Sequence, residues 1–104
     1  MTDDLLTTER LGDVLILTLN RPSALNALNP PLMLAIEAFG RAMLEDPARV
    51  LVIRGAGRHF CAGADLKAKA SDASLVQRRR NAQLGGRMLR AIIDIPKVTI
   101  AAVQ

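Results

Sequence analysis

The chain has 104 residues, of which 50% are hydrophobic and 23% charged, a composition that fits one small folded domain and excludes a disordered chain. Lysine and arginine number 14 against 10 acidic residues, but with 2% aromatic content and no tryptophan or tyrosine a base-stacking platform is hard to build, so we expect no nucleic-acid partner. One cysteine excludes an intrachain disulfide. The chain has no long apolar run and begins with the acidic sequence MTDD, so we expect a cytoplasmic protein with no membrane partner.

The first half of the chain predicts a strand hairpin followed by a helix. Residues 5–10 and 14–19 are strand-like runs, and Gly12-Asp13 between them predicts a tight turn. Asn29 is a good N-cap, and the proline after it suits a first helical turn, so a helix begins there and ends at Asp46-Pro47. Its inner face carries Leu32, Ile36, Phe39 and Met43.

The second half predicts strand, loop, helix and strand. The run at 50–53 is rich in β-branched residues, which suits a strand buried on both faces of a parallel sheet. Ser74 and Gln77 match a capping box that opens a helix over residues 74–94, and Pro96 precedes a further buried strand at 98–103. This alternation predicts an α/β fold with βαβ crossovers. The inner face of the second helix carries Leu84, Met88, Ile92 and Ile95.

Two glycines, Gly85 and Gly86, lie inside this second helix. Each costs about 1 kcal/mol relative to alanine in a helix interior. The pair therefore predicts a bend, a close backbone approach, a subunit contact or simple tolerance, and the sequence does not separate these alternatives.

Residues 58–66, RHFCAGADL, hold the only histidine and the only cysteine, two positions apart. A cysteine-dependent enzyme would use the Cys61 thiolate with His59 as its base. Phe60 and Ala62 beside the thiol instead favour packing of Cys61 as a small hydrophobic residue. A catalytic pair of Cys61 and His59 is therefore the less favoured interpretation of this segment.

The main chain of the same segment offers a second interpretation. Gly63 can adopt positive φ and permits a ligand to approach closely. If a helical turn starts at Asp65, the Ala64 N–H lies at its N-terminus and can donate to a carbonyl oxygen that becomes an oxyanion. Capping of that turn is the favoured role for the Asp65 side chain.

Three stretches together resemble the N-terminal part of the crotonase family, the enoyl-CoA hydratase/isomerase superfamily. They are LNRPSALNAL at 19–28, VIRGAGRHFCAGADL at 52–66 and IPKVTIAAVQ at 95–104. Their spacing also matches, so the resemblance covers essentially the whole chain. It implies that residues 1–104 form one partial crotonase-like domain, a spiral of ββα units truncated after about the first half of its core.

The resemblance also implies an acyl-CoA thioester substrate and a set of site residues. Ala64 matches the first of two backbone N–H donors that polarise the thioester carbonyl and stabilise an enolate. Coenzyme A is part of the substrate, and no other cofactor and no metal is implied. The substrate-binding positions that match the family are Ser23, Ala24, Leu25, Ala62, Gly63, Ala64, Asp65 and Leu66.

The family's second N–H donor and its acidic residues belong to a Gly-rich loop that would follow Gln104. Glu9, Glu37 and Glu45 lie outside the matching positions and do not replace those acids. We therefore expect weak or no hydratase activity from this chain, with a non-catalytic CoA-binding or assembly module as the alternative.

The family also implies a trimer or hexamer. Arg78-Arg79-Arg80 predicts a solvated helix face, with contact to CoA phosphates as the alternative.

Overall fold

A computed structural model describes residues 4–63 and 74–103 of the protein. In these ranges the chain forms four strands, two α-helices and one short 3-10 helix, in the predicted order of strands and helices. The elements are β1 (Leu6–Leu11), β2 (Val14–Leu19), the 3-10 helix (Pro22–Ala24), α1 (Pro30–Ala42), β3 (Val50–Gly55), α2 (Leu75–Ile93) and β4 (Val98–Ala101).

The strands form one mixed sheet in the order β1-β2-β3-β4. β1 and β2 are an antiparallel hairpin in which Leu11 pairs with Val14, so Gly12 and Asp13 form the predicted two-residue turn. Gly12 has a φ of +59°, as such turns require to match the twist of the flanking strands. β3 pairs parallel with β2, and β4 pairs parallel with β3. The helices α1 and α2 are the crossovers between the parallel strands, which confirms the α/β prediction.

Helix α1 begins as predicted and ends earlier than predicted. The Asn29 side chain accepts a hydrogen bond from the Leu32 N–H at 3.0 Å. The helix stops at Ala42, because the chain tightens into turns in which the N–H groups of Leu44 and Glu45 each donate to a carbonyl three residues back. The predicted end at Asp46-Pro47 is therefore wrong by about one helical turn, and the proline follows these turns without itself stopping the helix.

Helix α2 has the predicted N-cap without the full capping box. The Ser74 hydroxyl accepts from the Gln77 N–H at 3.2 Å. The Gln77 side chain donates along the helix to Asn81 at 3.0 Å and does not return to the Ser74 N–H. Only half of the box forms, because the Gln77 side chain extends along the helix toward Asn81 and not back toward Ser74. Within the described ranges, no helix is long and apolar enough to cross a membrane.

One face of the sheet, the covered face, packs against both helices. The predicted inner faces of α1 and α2 are confirmed as the other half of this core, with Leu32 and Met43 almost fully buried. The buried residues form two adjoining clusters: Leu15, Leu17, Met43, Ala48, Leu51 and Ile95 in one, and Leu19, Leu32, Ile36 and Met88 in the other.

Two burial predictions are wrong. Every residue of β4 is exposed, with Val98 at 61% and Ile100 at 50%, because β4 is an edge strand of the described sheet and none of the described helices packs over it. β3 is buried on one face only, with Leu51 inaccessible and Val52 half-buried. The prediction that residues 50–53 are buried on both faces of the sheet therefore holds for one face only.

The helices approach each other closely at a glycine that the sequence did not single out. A Cβ on Gly40 of α1 would lie 3.0 Å from the Ala91 Cβ and carbonyl oxygen of α2. By contrast, a Cβ on Gly85 would meet only the Met33 sulfur at 3.9 Å, and one on Gly86 would meet nothing within 4 Å. A close backbone approach, one of the alternatives for Gly85-Gly86, is therefore found at Gly40 and not at this pair.

Candidate functional site

The candidate site lies where the segments that follow β2 and β3 meet. These two strands are parallel neighbours, so their carboxyl ends open on the same edge of the sheet. In open α/β sheets, ligands bind beyond the carboxyl ends of strands. The two segments, residues 20–29 and 56–63, are called the first and second site loops.

The first site loop folds tightly around Asn26. The 3-10 helix Pro22–Ala24 leads into Leu25 and Asn26, which have φ of 56° and 55°. The Arg21 guanidinium donates to the Ala27 carbonyl at 2.8 Å and closes the loop on itself. Asparagine tolerates positive φ better than most residues, so its side chain can point inward from this turn.

Asn26 joins the two loops through three hydrogen bonds. Its side chain is inaccessible to solvent, and its carbonyl oxygen accepts from the Arg21 N–H at 2.8 Å. Its amide donates to the Ala56 carbonyl at 2.9 Å and to the His59 carbonyl at 2.8 Å. Buried polar groups are expensive when unpaired, and here one side chain satisfies two backbone acceptors and one donor. The sequence alone does not indicate a role for Asn26. The available signal was an asparagine four residues after a loop-opening proline.

Gly55 makes room for this arrangement. A Cβ there would come within 2.7 Å of the Asn26 amide nitrogen and closer still to the carbonyl oxygens of His59 and Phe60. Real Cβ atoms do not occur at such distances, so the end of β3 requires glycine for the second loop to fold back over it.

Two backbone hydrogen bonds bring the predicted substrate-binding residues together. The Ala62 N–H donates to the Leu25 carbonyl at 3.0 Å, and the Leu28 N–H donates to the Gly63 carbonyl at 2.7 Å. The Ala62 amide is therefore used within the protein and is not available to a ligand. Gly63 has a φ of +93°, the left-handed conformation that the sequence predicted it could adopt.

The predicted positions differ in their accessibility. Ser23, Leu25 and Ala62 are exposed, with Leu25 at 47%, while Ala24 and Gly63 are half-buried. They form a rim that small and apolar groups dominate. The remaining predicted positions, Ala64, Asp65 and Leu66, lie outside the described residues.

Cys61 and His59 do not form a nucleophile and base. The Cys61 sulfur accepts from the Gly63 N–H at 3.4 Å and packs against the cluster that contains Leu19 and Leu32. The His59 side chain is exposed, and within residues 4–63 no hydrogen bond joins it to Cys61. This geometry favours the thiol as a packing group.

The three carboxylates that the sequence set aside lie away from the site loops. Glu9 is on β1 and Glu45 is in the turns after α1, and both are exposed. Glu37 is buried, and one of its oxygens accepts from Arg41 at 2.8 Å and from Arg87 at 3.2 Å. Glu37 therefore holds α1 to α2 beside a groove of about 810 Å³ that the helices, and not the site loops, line.

Other candidate ligand groups are not gathered at the site. Arg78, Arg79 and Arg80 are exposed in the first turns of α2, as a solvated face would be. No group of three histidine, cysteine, aspartate or glutamate residues that could hold a metal occurs in the part of the chain that the structure describes.

Comparisons with known proteins define the class to which this arrangement belongs. The family model for enoyl-CoA hydratase/isomerase matches residues 9–104. An enoyl-CoA hydratase of Mycobacterium tuberculosis, EchA19, is 39% identical over 92% of this chain, and a crotonyl-CoA hydratase of Syntrophomonas wolfei is 38% identical over 92%. The crystal structure of a Mycobacterium smegmatis enoyl-CoA hydratase matches 97% of the chain with a TM-score of 0.91 and 33% identity.

The chain therefore belongs to the enoyl-CoA hydratase/isomerase family, and the predicted crotonase fold is confirmed. It spans 37% of the length of both curated relatives and 40% of the solved mycobacterial chain. The match is to the N-terminal part of the family, as the sequence predicted.

Proposed function

We propose that this chain supplies the acyl-CoA-binding rim and one oxyanion donor of an enoyl-CoA hydratase/isomerase active site. The observation that carries the proposal is the pairing of the two site loops through Leu25–Ala62 and Leu28–Gly63, which gathers predicted binding residues at the carboxyl ends of β2 and β3. In this proposal Ser23, Ala24 and Leu25 line one side of the thioester channel. Ala62, Gly63, Ala64, Asp65 and Leu66 line the other.

The chemistry follows from where charge develops. When a nucleophile adds to the β-carbon of an enoyl thioester, the electron pair moves to the carbonyl oxygen and gives an enolate. A backbone N–H aimed at that oxygen stabilises it, and loss of one such donor costs about 3–4 kcal/mol of barrier stabilisation. We assign this donor to Ala64, because Gly63 turns the chain with its φ of +93° immediately before it. The Ala62 N–H, already bonded to Leu25, is not a second donor.

The rest of the proposal follows the family. The second donor and the groups that move protons belong to the part of the relatives outside the match, so we expect little turnover from residues 1–104 alone. Coenzyme A enters as part of the substrate, with no further cofactor and no metal. We also propose a cytoplasmic protein that assembles into homo-oligomers.

Calorimetric titration with crotonyl-CoA tests the binding proposal, and the loss of enoyl absorbance measures any turnover. We expect saturable binding with turnover near background. Ala64→Pro removes the donor and should weaken binding several-fold, while Ala64→Ser keeps the N–H and should leave binding within about twofold of the wild type. Equal binding by both variants would contradict the assignment of Ala64, and no binding by the wild type would contradict the function.

The cysteine alternative has its own test. Rapid alkylation of Cys61 at neutral pH that is abolished by His59→Ala would support a Cys–His pair. We expect slow labelling that His59→Ala does not change, because the thiol packs against the core and the imidazole is exposed.

A further inference from the structure

The groove between α1 and α2, here called the helix groove, combines an apolar base with a basic rim. Its volume of about 810 Å³ lies within the range of roughly 300–1,000 Å³ that is usual for ligand clefts. Gly40 and Ala91 are buried where the two helices touch, and they line the groove together with the exposed side chain of Leu44. The basic residues of the lining are Arg41, Arg87 and Arg90. A ligand in this groove therefore meets apolar atoms at its base and guanidinium groups at its sides.

The Glu37 carboxylate fixes the direction in which the Arg87 guanidinium points. The Glu37 side chain is 10% exposed, and its Oε2 accepts from Arg87 Nε at 3.2 Å and from an Arg41 terminal nitrogen at 2.8 Å. Among the described residues, Arg87 makes no hydrogen bond through its two terminal nitrogens, and its side chain is half-exposed. These nitrogens form a fork that matches the two oxygens of a carboxylate. Arg87 is thus oriented in advance for an acidic ligand.

The arginines of α2 extend this basic rim along the helix. The sequence of α2, LVQRRRNAQLGGRMLRAII, holds five arginines and no acidic residue. At 3.6 residues per turn, Arg80 lies on the same side of α2 as Arg87, and Arg79 lies on the same side as Arg90, roughly 10–16 Å farther along the axis. Asp94, which follows the helix, is 3.9 Å from Arg90 and offsets one of these charges. An elongated ligand with several negative charges therefore matches this side of α2 better than one small anion does.

We propose that the helix groove and the adjoining basic side of α2 bind an acidic peptide segment of a partner protein. In this segment carboxylates flank an apolar side chain. The apolar side chain packs on the base formed by Gly40 and Ala91, beside Leu44, and the carboxylates accept from the arginines at the sides. The proposal does not depend on acyl-CoA binding, because helix residues and not the site loops line this groove.

Charge and chemistry disfavour the other occupants. A second copy of this chain carries the same net charge of +4 and presents the same basic α2, so the two copies repel each other. A nucleic acid could pair its phosphates with the arginines, but its backbone has no apolar group to place on the base of the groove. An acidic peptide with an apolar anchor uses both features of the surface.

Fluorescence anisotropy with labelled synthetic peptides tests the proposal on the 104-residue chain. The probe is a short peptide in which glutamates flank a pair of leucines in a background of glycine and serine. One control peptide has glutamine at each glutamate position, and a second has serine at each leucine position. We expect saturable binding of the probe that both replacements weaken. Raising the salt from about 0.05 M to about 0.5 M should weaken probe binding about tenfold, because the charges of the rim are exposed and screened.

Matched arginine substitutions locate the contact. Arg87→Gln removes the oriented fork and should weaken probe binding about tenfold. Arg78→Gln is the control, because Arg78 is an exposed arginine of α2 that lies two and a half turns from Arg87, on the opposite side of the helix. It makes the same change of charge and should leave binding within about twofold of the wild type, since charges away from the contact are screened by salt.

A further variant guards against an effect on folding. Arg90→Gln leaves the two ion pairs of Glu37 in place and should weaken probe binding about threefold. Circular dichroism and the urea midpoint show whether each variant folds as the wild type does. If Arg87→Gln lowers the urea midpoint, the comparison of Arg90→Gln with Arg78→Gln decides the location of the contact.

Four results would overturn the proposal. They are the absence of probe binding by the wild-type chain, equal weakening by the groove variants and by Arg78→Gln, undiminished binding of the peptide without leucines, and tighter binding of a duplex oligonucleotide than of the probe. The second and third would reduce the surface to general attraction between opposite charges. The last would assign it to nucleic-acid phosphates.

Discussion

The covered face of the sheet and the opposite face, the open face, carry similar side chains but differ in how far these side chains are buried. Along β2 the sequence VLILTL is apolar at five of six positions, yet only Leu15, Leu17 and Leu19 are buried. Val14, Ile16 and Thr18, which alternate with them, are half-buried. An apolar residue in a strand therefore indicates a position that can be buried. How much stability it contributes in this chain depends on the elements that pack on it.

The largest expected difference between the faces comes from adjacent residues of β2. Leu17→Ala should cost about 4 kcal/mol of unfolding free energy, because it removes buried methyl groups and leaves a cavity. Ile16→Ala should cost about 1 kcal/mol, because the side chain is half-buried and leaves little cavity. Urea denaturation monitored by circular dichroism measures both changes. Similar losses for the two variants would show that the open face is covered in solution.

The polar end of the covered face gives the second prediction. Gly55 pairs with Leu19, so the space that a Gly55 Cβ would fill, and that Asn26 occupies, is on the covered side. Asn26→Ala leaves the Arg21 N–H and two carbonyls without their partner and should cost about 3 kcal/mol.

Asn81→Ala is the control for Asn26→Ala, because Asn81 is a helical residue whose side chain bonds, among the described residues, to Gln77 alone. It should change the unfolding free energy by less than about 0.5 kcal/mol. Amide exchange separates the loops from the rest of the protein. In Asn26→Ala, the amides of Ala62 and Leu28 should lose protection before those of β2. Retained protection in both loops would contradict the role assigned to Asn26.

Much of the fold was predictable because it depends on local sequence. The cap at Asn29, the turn at Gly12 and the inner faces of both helices follow from neighbouring residues and a 3.6-residue period. Residues 98–103 show the limit of such patterns. Their apolar sequence predicts a buried strand, but the burial of a strand depends on what lies beside it, and in the described part of the chain β4 has a neighbour on one side only.

The membership of the candidate site stays a prediction from the family resemblance, while the architecture that joins its described members could not be predicted from the sequence. The resemblance to the crotonase family identifies Leu25 and Ala62, and the structure joins them through one backbone hydrogen bond. Asn26 contacts residues up to 33 positions away, so its position four residues after Pro22 does not reveal which groups its side chain joins. The same limit applies to Gly40, whose importance depends on Ala91 in the other helix.

Glycine-to-alanine substitutions at two positions of the helix layer should change the free energy of unfolding in opposite directions. Gly40→Ala gains helix propensity but brings a Cβ to 3.0 Å from the Ala91 Cβ and carbonyl oxygen, so we expect a net loss of about 1–2 kcal/mol. Gly86→Ala places its Cβ in open space and should stabilise the protein by up to about 1 kcal/mol. Thermal unfolding of the two variants measures the signs. A stabilising Gly40→Ala would show that α1 and α2 separate easily.

The smallest expected effect lies at the rim of the covered face, where Arg10 of β1 meets Asp46. The two side chains form a two-pronged pair with distances of 2.8 and 3.1 Å, and the Asp46 carboxylate also accepts from the Ala48 N–H at 2.8 Å. The hydrogen bond from Arg10, followed by that from Ala48, lowers the pKa of Asp46 below its ordinary value of 3.8.

A carboxyl group whose pKa is lower in the folded state contributes stability above its unfolded pKa, and this stability disappears as the pH falls below about 4. Asp46→Asn should therefore flatten the decline of the urea midpoint between about pH 4 and pH 2, by a modest amount because both side chains reach solvent and exposed pairs are screened by salt. The same acid slope in Asp46→Asn and in the wild type would show that this pair contributes nothing, and that the stability of the covered face comes from its packing alone.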